Sequence, residues 1–294
     1  MELVLKAYAK INLSIDITGR LANGYHLLDT VMQSISLCDT LTVKTSPDDT
    51  SVKLQIENSN IECDENNTVL LAEKYFFEAY NKPRDFGLDI TLHKEIPSAA
   101  GLGGGSADAA AMLLALNEIM GNPFTTEELL VISKKVGADV PFCLVGGTKR
   151  VQGIGDVIIP MKNLMPCAFV LIKNAEKPST AEMYSRIDNA ENPFCIDVDK
   201  TCDAIETDDI TKLSKNCKNI FLAVWESEEI SSAMQELTDN GAITSALSGS
   251  GPTLYGLFND TSSAEKAYTA LCSKYENIFS AVPVDCGVEI VSVK

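Results

Sequence analysis

The sequence predicts an α+β fold with two compact lobes and layered sheets. Its 294 residues suit two lobes, and a chain of this length can bury about three-quarters of its unfolded surface. Apolar residues make up 45% of the chain and charged residues 22%, as in ordinary globular proteins. Strand-like and helix-like segments interleave without the regular βαβ period of a parallel sheet, which favours α+β. We expect domains at residues 1–160 and 161–294, divided near a proline-bounded segment.

The first predicted element is a strand over residues 3–17, in which odd positions are apolar and most even positions are polar. A period of two is typical of a strand with one buried face, and we expect a bend in so long a run. Lys10 and Asn12 fall side by side on the polar face. A turn at Asn-Gly then places Tyr25 and His26 where rings are often displayed to ligands. The alternative is that Tyr25 packs on the strand while His26 is solvated.

Hydrophobic patterning predicts further strands at residues 31–37, 41–45, 51–57 and 88–96. A helix capped by Asn66 or Thr68 runs to Tyr80, and another helix covers residues 126–136. In the second half we expect strands at 167–172 and 288–293, and helices at 180–186, 202–213, 228–240 and from 262.

A glycine-rich turn follows the strand at 88–96 and opens a helix. Residues 97–107 read Pro-Ser-Ala-Ala-Gly-Leu-Gly-Gly-Gly-Ser-Ala, and more alanines follow. Glycines let the backbone approach a ligand closely, and we expect Ser106 to cap the helix. The unpaired amides of the loop and of the first helical turn then form an anion site, most often for phosphate. The sequence lacks the Lys-Ser or Lys-Thr pair of a Walker A loop, and a turn whose glycines serve packing alone is the alternative.

A single acid stands in an apolar stretch, residues 137–147, which we expect to be a loop or turn. This acid, Asp139, is partly desolvated by its neighbours. Together with Lys10 near a phosphate site, it would form the pair that hydroxyl phosphorylation needs. The acid accepts the alcohol proton, while the ammonium keeps the acid ionised and stabilises the transferring charge. The alternatives are a helix or turn cap for Asp139 and an exposed strand position for Lys10.

Two further features leave their interpretation open. The hairpin turn Ser-Gly-Ser-Gly at residues 248–251 would either hold a second phosphate on its amides or be a tight turn and nothing more. Asp108 suits the start of a helix, but it would repel a bound phosphate unless it is turned away or bridged by a metal.

Charge and cysteine content exclude several classes of partner. With 24 basic and 41 acidic residues the net charge is −17, which repels nucleic acid. Nine cysteines without a Cys-x-x-Cys pair indicate free thiols in a reducing cytoplasm. No apolar run of about 18 residues or signal-peptide core is present, so we expect a cytoplasmic protein without a membrane partner. The oligomeric state is left open.

Three separated stretches together resemble the GHMP kinases: residues 9–13 with 23–26, residues 97–111, and residues 137–142. Residues 248–251 resemble the third motif of that family, so the resemblance spans nearly the whole chain. It implies an N-terminal ATP-binding lobe, a smaller C-terminal α/β lobe, and a substrate in the cleft between them. The Lys-Ile-Asn-Leu and Gly-Tyr-His elements imply the branch that uses ATP and Mg²⁺ to phosphorylate the 2-hydroxyl of 4-diphosphocytidyl-2-C-methyl-D-erythritol, in non-mevalonate isoprenoid biosynthesis.

The resemblance also implies roles for individual residues. Asp139 would be the base and Lys10 its electrostatic partner. The phosphates would be wrapped by Pro97, Ser98, Ala99, Ala100, Gly101, Leu102, Gly103, Gly104, Gly105, Ser106 and Ala107. The substrate would be bound by Tyr25 and Tyr184 on the two faces of the cytosine, His26 at its edge, Asn12 at the reacting end, and Gly249 and Ser250.

One position departs from the family. Members often carry a second hydroxyl where this chain has Ala107, which leaves Ser106 as the hydroxyl for Mg²⁺ or phosphate. Another small-molecule kinase of the family (for homoserine, mevalonate or a sugar) and a non-catalytic nucleotide-binding regulator are the alternative functions.

Overall fold

The computed structural model describes residues 1–47, 49–173, 178–190, 195–225 and 227–294. The strands are β1 (Glu2–Arg20), β2 (His26–Ser46), β3 (Val52–Glu57), β4 (Gly87–His93), β5 (Thr148–Gly153), β6 (Val157–Pro160), β7 (Ala168–Lys173), β8 (Thr244–Leu247), β9 (Thr253–Phe258), β10 (Ile278–Ala281) and β11 (Val288–Val293). The α-helices are α1 (Thr68–Tyr80), α2 (Gly104–Ile119), α3 (Thr126–Val136), α4 (Val140–Val145), α5 (Thr180–Asp188), α6 (Val198–Glu206), α7 (Ile210–Asn216), α8 (Glu228–Asp239) and α9 (Thr261–Leu271). A 3₁₀ helix covers Ile220–Val224.

In the part of the chain that the structure describes, the strands form two sheets, one of seven strands and one of four. The larger sheet has the order β11-β1-β2-β4-β3, with β5 beside β2 and β6 beside β5. The smaller sheet has the order β10-β7-β9-β8. β3 and β4 run parallel, whereas β1 is antiparallel to both of its neighbours. The predicted α+β class with layered sheets is confirmed.

Three clusters of buried apolar side chains separate the layers. The first lies between the larger sheet and helices α1 to α4 and contains Phe76. The second lies between the two sheets and contains Ile11 of β1 and Tyr255 of β9. The third lies between the smaller sheet and helices α5, α8 and α9 and contains Phe258. The layers therefore run helix, sheet, sheet, helix, and β1 faces strands from the second half of the chain.

The side chains of β1 change face near Tyr8, where its pairing with β2 is irregular and the candidate residues begin. Between Tyr8 and Lys10 the partner on β2 moves from Cys38 to Ser34, so β1 advances two residues while β2 advances four. Odd residues before this shift pack in the first cluster, and odd residues after it, such as Ile11, pack in the second. The side chains of β1 therefore change face at this irregularity, which a uniform two-residue alternation would not produce. Lys10, just after it, lies against Gly103 of the glycine-rich turn.

The expectation that β1 has one buried and one exposed face is wrong over residues 7–16, all of which are buried. Helices cover one side of the larger sheet and the smaller sheet covers the other, so this part of the strand has no solvent face. A period of two in the sequence shows which side chains are polar, but it does not show whether they are exposed. In this part of β1 the polar side chains face other polar groups instead of water.

The helix after the glycine-rich turn begins three residues earlier than expected. Gly103 is its N-cap residue, with a φ of +71° and no side-chain capping bond. The prediction that Ser106 caps the helix is therefore wrong, because Ser106 lies inside the first turn. Glycine adopts this left-handed backbone without a steric penalty, so the helix can begin immediately after it.

Several other boundaries differ from the predictions. The strands expected at 31–37 and 41–45 form the single strand β2, the strand expected at 88–96 ends at His93, and the helix expected at 202–213 is divided into α6 and α7. The expected loop at 137–147 contains the short helix α4, and β5, β6 and β10 were not predicted. Short apolar runs such as these have too few residues for their periodicity to distinguish a strand from a helix.

The chain passes from the larger sheet to the smaller one between β6 and β7, and it returns at the end when β11 pairs with β1. The division at residues 160 and 161 stays a prediction.

All nine cysteines have free thiols, and burial raises the pKa of Cys167 and of Cys217 to about 12. Within the described ranges, no helix has both the length and the apolar character needed to cross a membrane.

Candidate active site

A cleft of 1210 Å³ opens between the β1–β2 turn, the glycine loop (residues 97–103), α5 and the second turn (residues 248–252). The predicted site residues that line it are Lys10, Asn12, Tyr25, His26, Ala99, Gly101, Gly103, Ser106, Asp139, Tyr184, Gly249 and Ser250. The predicted residues that do not line it are Pro97, Ser98, Ala100, Leu102, Gly104, Gly105 and Ala107. Of these, Ala100, Leu102 and Ala107 are packed in the core. Folding therefore gathers residues from five separated stretches into one space.

Lys10 and Asp139 meet in this cleft. Lys10 Nζ lies 3.5 Å from Asp139 Oδ2, and the Lys10 side chain is 5% exposed whereas that of Asp139 is 33% exposed. Asp139 occupies the N-cap position of α4, but its side chain makes no capping hydrogen bond. The carboxylate is thus available to the cleft, and the alternative of an exposed Lys10 is wrong.

Asn12 holds the ammonium of Lys10 from the other side. Lys10 Nζ donates a 2.7 Å hydrogen bond to Asn12 Oδ1. Asn12 Nδ2 in turn donates to Thr30 Oγ1 over 2.9 Å, and Thr30 Oγ1 donates to the Ser14 carbonyl over 2.6 Å. Because the hydroxyl proton of Thr30 is committed to a carbonyl, its oxygen must accept from the amide group. This chain of bonds sets the orientation of Asn12 and fixes the position of the ammonium.

The glycine loop lies directly on the lysine. The Lys10 amide donates a 2.9 Å hydrogen bond to the Leu102 carbonyl, so the loop backbone pairs with β1. A Cβ atom added to Gly103 would lie only 2.9 Å from Lys10 Cγ. The loop therefore passes over the aliphatic part of the lysine, and its amides lie near the Lys10–Asp139 pair.

The glycine loop also contacts the second turn, which belongs to the smaller sheet. Ser248 Oγ donates a 2.9 Å hydrogen bond to the Gly101 carbonyl, and the Thr253 amide donates to the Ala100 carbonyl over 3.2 Å. A Cβ built on Gly101 would lie 2.3 Å from the Ser248 carbonyl oxygen. One built on Gly249 would lie 3.4 Å from Lys10 Nζ. The second turn is thus part of the cleft wall at the lysine.

The start of α2 points its free amides at the same region. The first amide that bonds within the helix is that of Ala107, which donates to the Gly103 carbonyl over 2.9 Å. The amides of residues 104–106 precede it and carry the partial positive charge of a helix N-terminus. Ser106 lies among them and lines the cleft. This is the arrangement in which helix N-termini bind anions, and an anion site here stays a prediction.

Aromatic and charged residues form the opposite end of the cleft. The rings of His26 and Tyr184 stack with centroids 4.6 Å apart and an interplanar angle of 27°. His26 Nε2 lies 2.7 Å from Asp188 Oδ1, and Arg20 Nη1 lies 3.0 Å from Asp188 Oδ2. Asp188 therefore links the β1–β2 turn to α5, across the cleft. Tyr25 stands beside this group and is 61% exposed.

Tyr184 is held from two sides. Its second ring partner is Phe221, at 5.1 Å and near a right angle. Burial, with a smaller contribution from the negative charge of Asp139, raises the pKa of Tyr184 to about 12. Its phenol therefore stays protonated and neutral at physiological pH.

The sequence of the chain matches two protein-family models and the sequences of known proteins. A family model described as GHMP kinases N terminal domain matches residues 67–147, and one described as GHMP kinases C terminal matches residues 206–277. A Thermoanaerobacter pseudethanolicus protein named 4-diphosphocytidyl-2-C-methyl-D-erythritol kinase is 38% identical over 296 residues, covering 98% of this chain and 99% of the relative. The chain belongs to the GHMP kinases. It is accordingly a kinase, and the family uses ATP as the phosphoryl donor.

Solved structures of GHMP kinases have the same fold. A crystal structure of 4-(cytidine 5′-diphospho)-2C-methyl-D-erythritol kinase matches with a TM-score of 0.79 at 27% identity, covering 96% of this chain and 99% of that one. A homoserine kinase from Cytophaga hutchinsonii also reaches 0.79, at 18% identity, with 99% and 97% of the two chains covered. The second likeness shows the fold alone.

Sequence reasoning missed two charged residues that line the described cleft, Asp188 and Arg20. Asp188 lies just beyond the helix predicted at 180–186, and Arg20 lies just beyond the strand predicted at 3–17. Neither position carried a local signal, because the partners of Asp188 are more than 160 residues earlier in the chain. Asp108 is also explained: it is 2% exposed and turned away from the cleft towards Lys94. The roles assigned to individual residues stay predictions.

Proposed function

We propose that this chain transfers the γ-phosphoryl group of ATP to the 2-hydroxyl of 4-diphosphocytidyl-2-C-methyl-D-erythritol, in non-mevalonate isoprenoid biosynthesis in the cytoplasm. The observation that carries the chemistry is the 3.5 Å approach of Lys10 Nζ to Asp139 Oδ2 in the cleft that the glycine loop borders. The choice of acceptor is supported by the curated relative of that name, which matches nearly the whole chain.

Asp139 is proposed to take the proton of the acceptor hydroxyl. Its carboxylate is a third exposed and makes no capping bond, so an acceptor can reach it. Lys10 is almost fully buried and held by Asn12, so its charge stays beside the carboxylate while the proton moves. The same ammonium offsets negative charge on the transferring phosphoryl group, which is the main task of a protein in phosphoryl transfer.

The free amides at the start of α2 and of the glycine loop are proposed to bind the ATP phosphates. Mg²⁺ ordinarily keeps several waters and takes substrate phosphates with one or two protein ligands. Ser106 offers one hydroxyl at the cleft, whereas Ala107 is fully buried, so the residues present fit a metal held chiefly by phosphate. When bound, Mg²⁺ would neutralise charge on the β- and γ-phosphates.

The cytosine of the acceptor is proposed to bind at the aromatic end of the cleft. Tyr25 is exposed there, and Tyr184 and His26 form a stacked pair beside it, which supports base stacking. His26 is tied to Asp188 through Nε2, so its other ring nitrogen, Nδ1, is left for the base edge. Asn12, Gly249 and Ser250 are proposed to contact the methylerythritol part, nearer to Lys10.

The test is turnover with a panel of acceptors. The protein is incubated with Mg²⁺ and ATP plus 4-diphosphocytidyl-2-C-methyl-D-erythritol, its uridine analogue, homoserine or mevalonate. ADP release is followed, and the phosphorylated product is identified by mass spectrometry. We expect turnover with the cytidine compound and little with the others. Preference for homoserine or mevalonate would reassign the acceptor, and ATP binding without any turnover would indicate a regulator.

Asp139→Asn separates a base from a structural residue. We expect kcat to fall by about 100- to 10,000-fold, the usual contribution of a general base, because the amide cannot accept the proton. Titration calorimetry with a non-hydrolysable ATP analogue should give nearly unchanged affinity, since the change lies outside the amide-lined anion site. An equal loss of ATP binding and turnover would show that Asp139 is structural.

A further inference from the structure

A cluster of three buried ionisable side chains lies beneath the glycine loop, outside the cleft. Lys94 Nζ donates to Asp39 Oδ2 and, over 2.6 Å, to Asp108 Oδ2. The exposures of Lys94, Asp39 and Asp108 are 4%, 0% and 2%. None of the three lines the cleft, and the proposed mechanism does not use them.

The cluster holds both ends of the glycine loop. Asp39 Oδ1 accepts hydrogen bonds from the amides of Glu95 (2.6 Å) and Ile96 (2.8 Å), the two residues just before the loop. Asp108 lies in α2, just after the loop. A Cβ built on Gly104 would lie 3.3 Å from Lys94 Nζ, so the ammonium sits directly under the first residue of α2. Residues 97–103 are therefore fixed at both ends. Asp39 binds the backbone before them, Asp108 lies in the helix after them, and both carboxylates bind Lys94.

Stability alone is a poor explanation for such a cluster. Removing ionisable side chains from water is expensive, and a well-packed apolar set of similar volume is often as stable or more stable. Asp108 Oδ1 is buried and has no hydrogen-bond partner within the described residues, so the hydrogen-bonding capacity of the cluster is not fully used. The ion pairs instead contribute orientation, because each bond fixes the position of one secondary-structure element relative to another.

We propose that Lys94, Asp39 and Asp108 are positioning residues that set the spacing between the two ends of the glycine loop, and thereby the affinity for ATP. Asp39 anchors the incoming backbone to β2, Asp108 anchors the outgoing helix, and Lys94 joins them. The amides that face the phosphates then keep their relative positions when the site is empty. The inference rests on the proposed role of the loop in holding ATP, and it is independent of the acceptor.

The test uses a neutralised cluster. The variant D39N/K94M/D108N removes all three charges, yet the side-chain amide oxygen introduced at position 39 can still accept the two loop amides, so no buried charge is left unpaired. ATP affinity is measured by calorimetry with a non-hydrolysable analogue, and KM values for ATP and for the acceptor are measured separately. We expect a folded protein whose ATP KM and analogue Kd rise about tenfold or more, since misplacing positioning groups by about 1 Å can cost up to about 100-fold. The acceptor KM should stay within about twofold.

Two further variants separate positioning from general stability. K94R keeps the charge and two donors towards the carboxylates, and it should recover much of the ATP affinity. R84M removes the partner of Glu73 in another largely buried pair, away from the cleft, and it should lower Tm without changing the ATP KM. Unchanged analogue affinity in the neutralised variant, or a parallel rise in both KM values, would overturn the proposal. Because analogue binding needs no acceptor, a wild-type protein inactive on the cytidine compound would refute the proposed function and leave this inference standing.

Discussion

Gly101 is the point at which the glycine loop touches the smaller sheet most closely, and Gly101→Ala tests whether that contact sets the geometry of the site. A Cβ at this position would lie 2.3 Å from the Ser248 carbonyl oxygen, whereas ordinary contact begins at 3.4 Å. The obstacle is backbone, so the loop or the second turn must move by about 1 Å. The φ of +78° adds strain, because an L-residue rarely adopts it.

The magnitude follows from these two effects. A left-handed backbone costs an alanine about 1–2 kcal/mol, and overpacking costs about 1–3 kcal/mol, so unfolding should become easier by about 2–5 kcal/mol. A displacement of about 1 Å next to Lys10 should also lower kcat/KM by up to about 100-fold. Urea unfolding measures the first quantity and steady-state kinetics the second.

Gly121→Ala is the matched control. Gly121 has almost the same φ, +76°, but an added Cβ would have no atom within 4 Å. It should lose about 1–2 kcal/mol of stability from the backbone alone and keep full activity. If Gly101→Ala and Gly121→Ala proved equal in both stability and kcat/KM, the close contact between the loop and the second turn would have no role in the site.

Three other changes have defined outcomes. Tyr25→Ala should leave Tm nearly unchanged because the side chain is 61% exposed, yet raise the acceptor KM about 5- to 150-fold, the value of one base stack, with the ATP KM as internal control. Asp188→Asn should weaken thermal stabilisation by cytidine nucleotides but not by ATP, since His26 loses its charged partner; equal loss for both nucleotides would contradict this. Burial raises the pKa of Asp16 above its ordinary value of 3.8, so the folded state binds that proton more tightly than the unfolded state does. The contribution of Asp16 to stability should therefore fall as pH rises above about 4, by at most about 1.4 kcal/mol per pH unit, until the pH passes the raised pKa, and Asp16→Asn should remove that slope in urea titrations; a difference between the two proteins that does not vary with pH would count against it.

The sequence by itself determined the features that depend on neighbours in the chain. The glycine-rich turn between a strand and a helix predicts an anion site because amide geometry there is set by a few consecutive residues. The long period-two run predicts β1, and Thr125 with Glu128 begins α3 at the predicted residue through a capping box. The motifs around Lys10 and Asp139 also indicated the right family, which the family models confirm.

Tertiary structure decided which of these residues meet and which way they face. Polarity along β1 does not reveal that its side chains change face near Tyr8, where the pairing with β2 is irregular, so that Lys10 lies against the loop. Asp188 reaches His26 across 162 positions of sequence, and Lys94 reaches Asp39 across 55. Contacts of this kind form only after the sheets have packed against each other and their helices, and no local pattern of residue types encodes them. Local order therefore specified the parts of the proposed phosphoryl-transfer site, and long-range packing brought them within bonding distance.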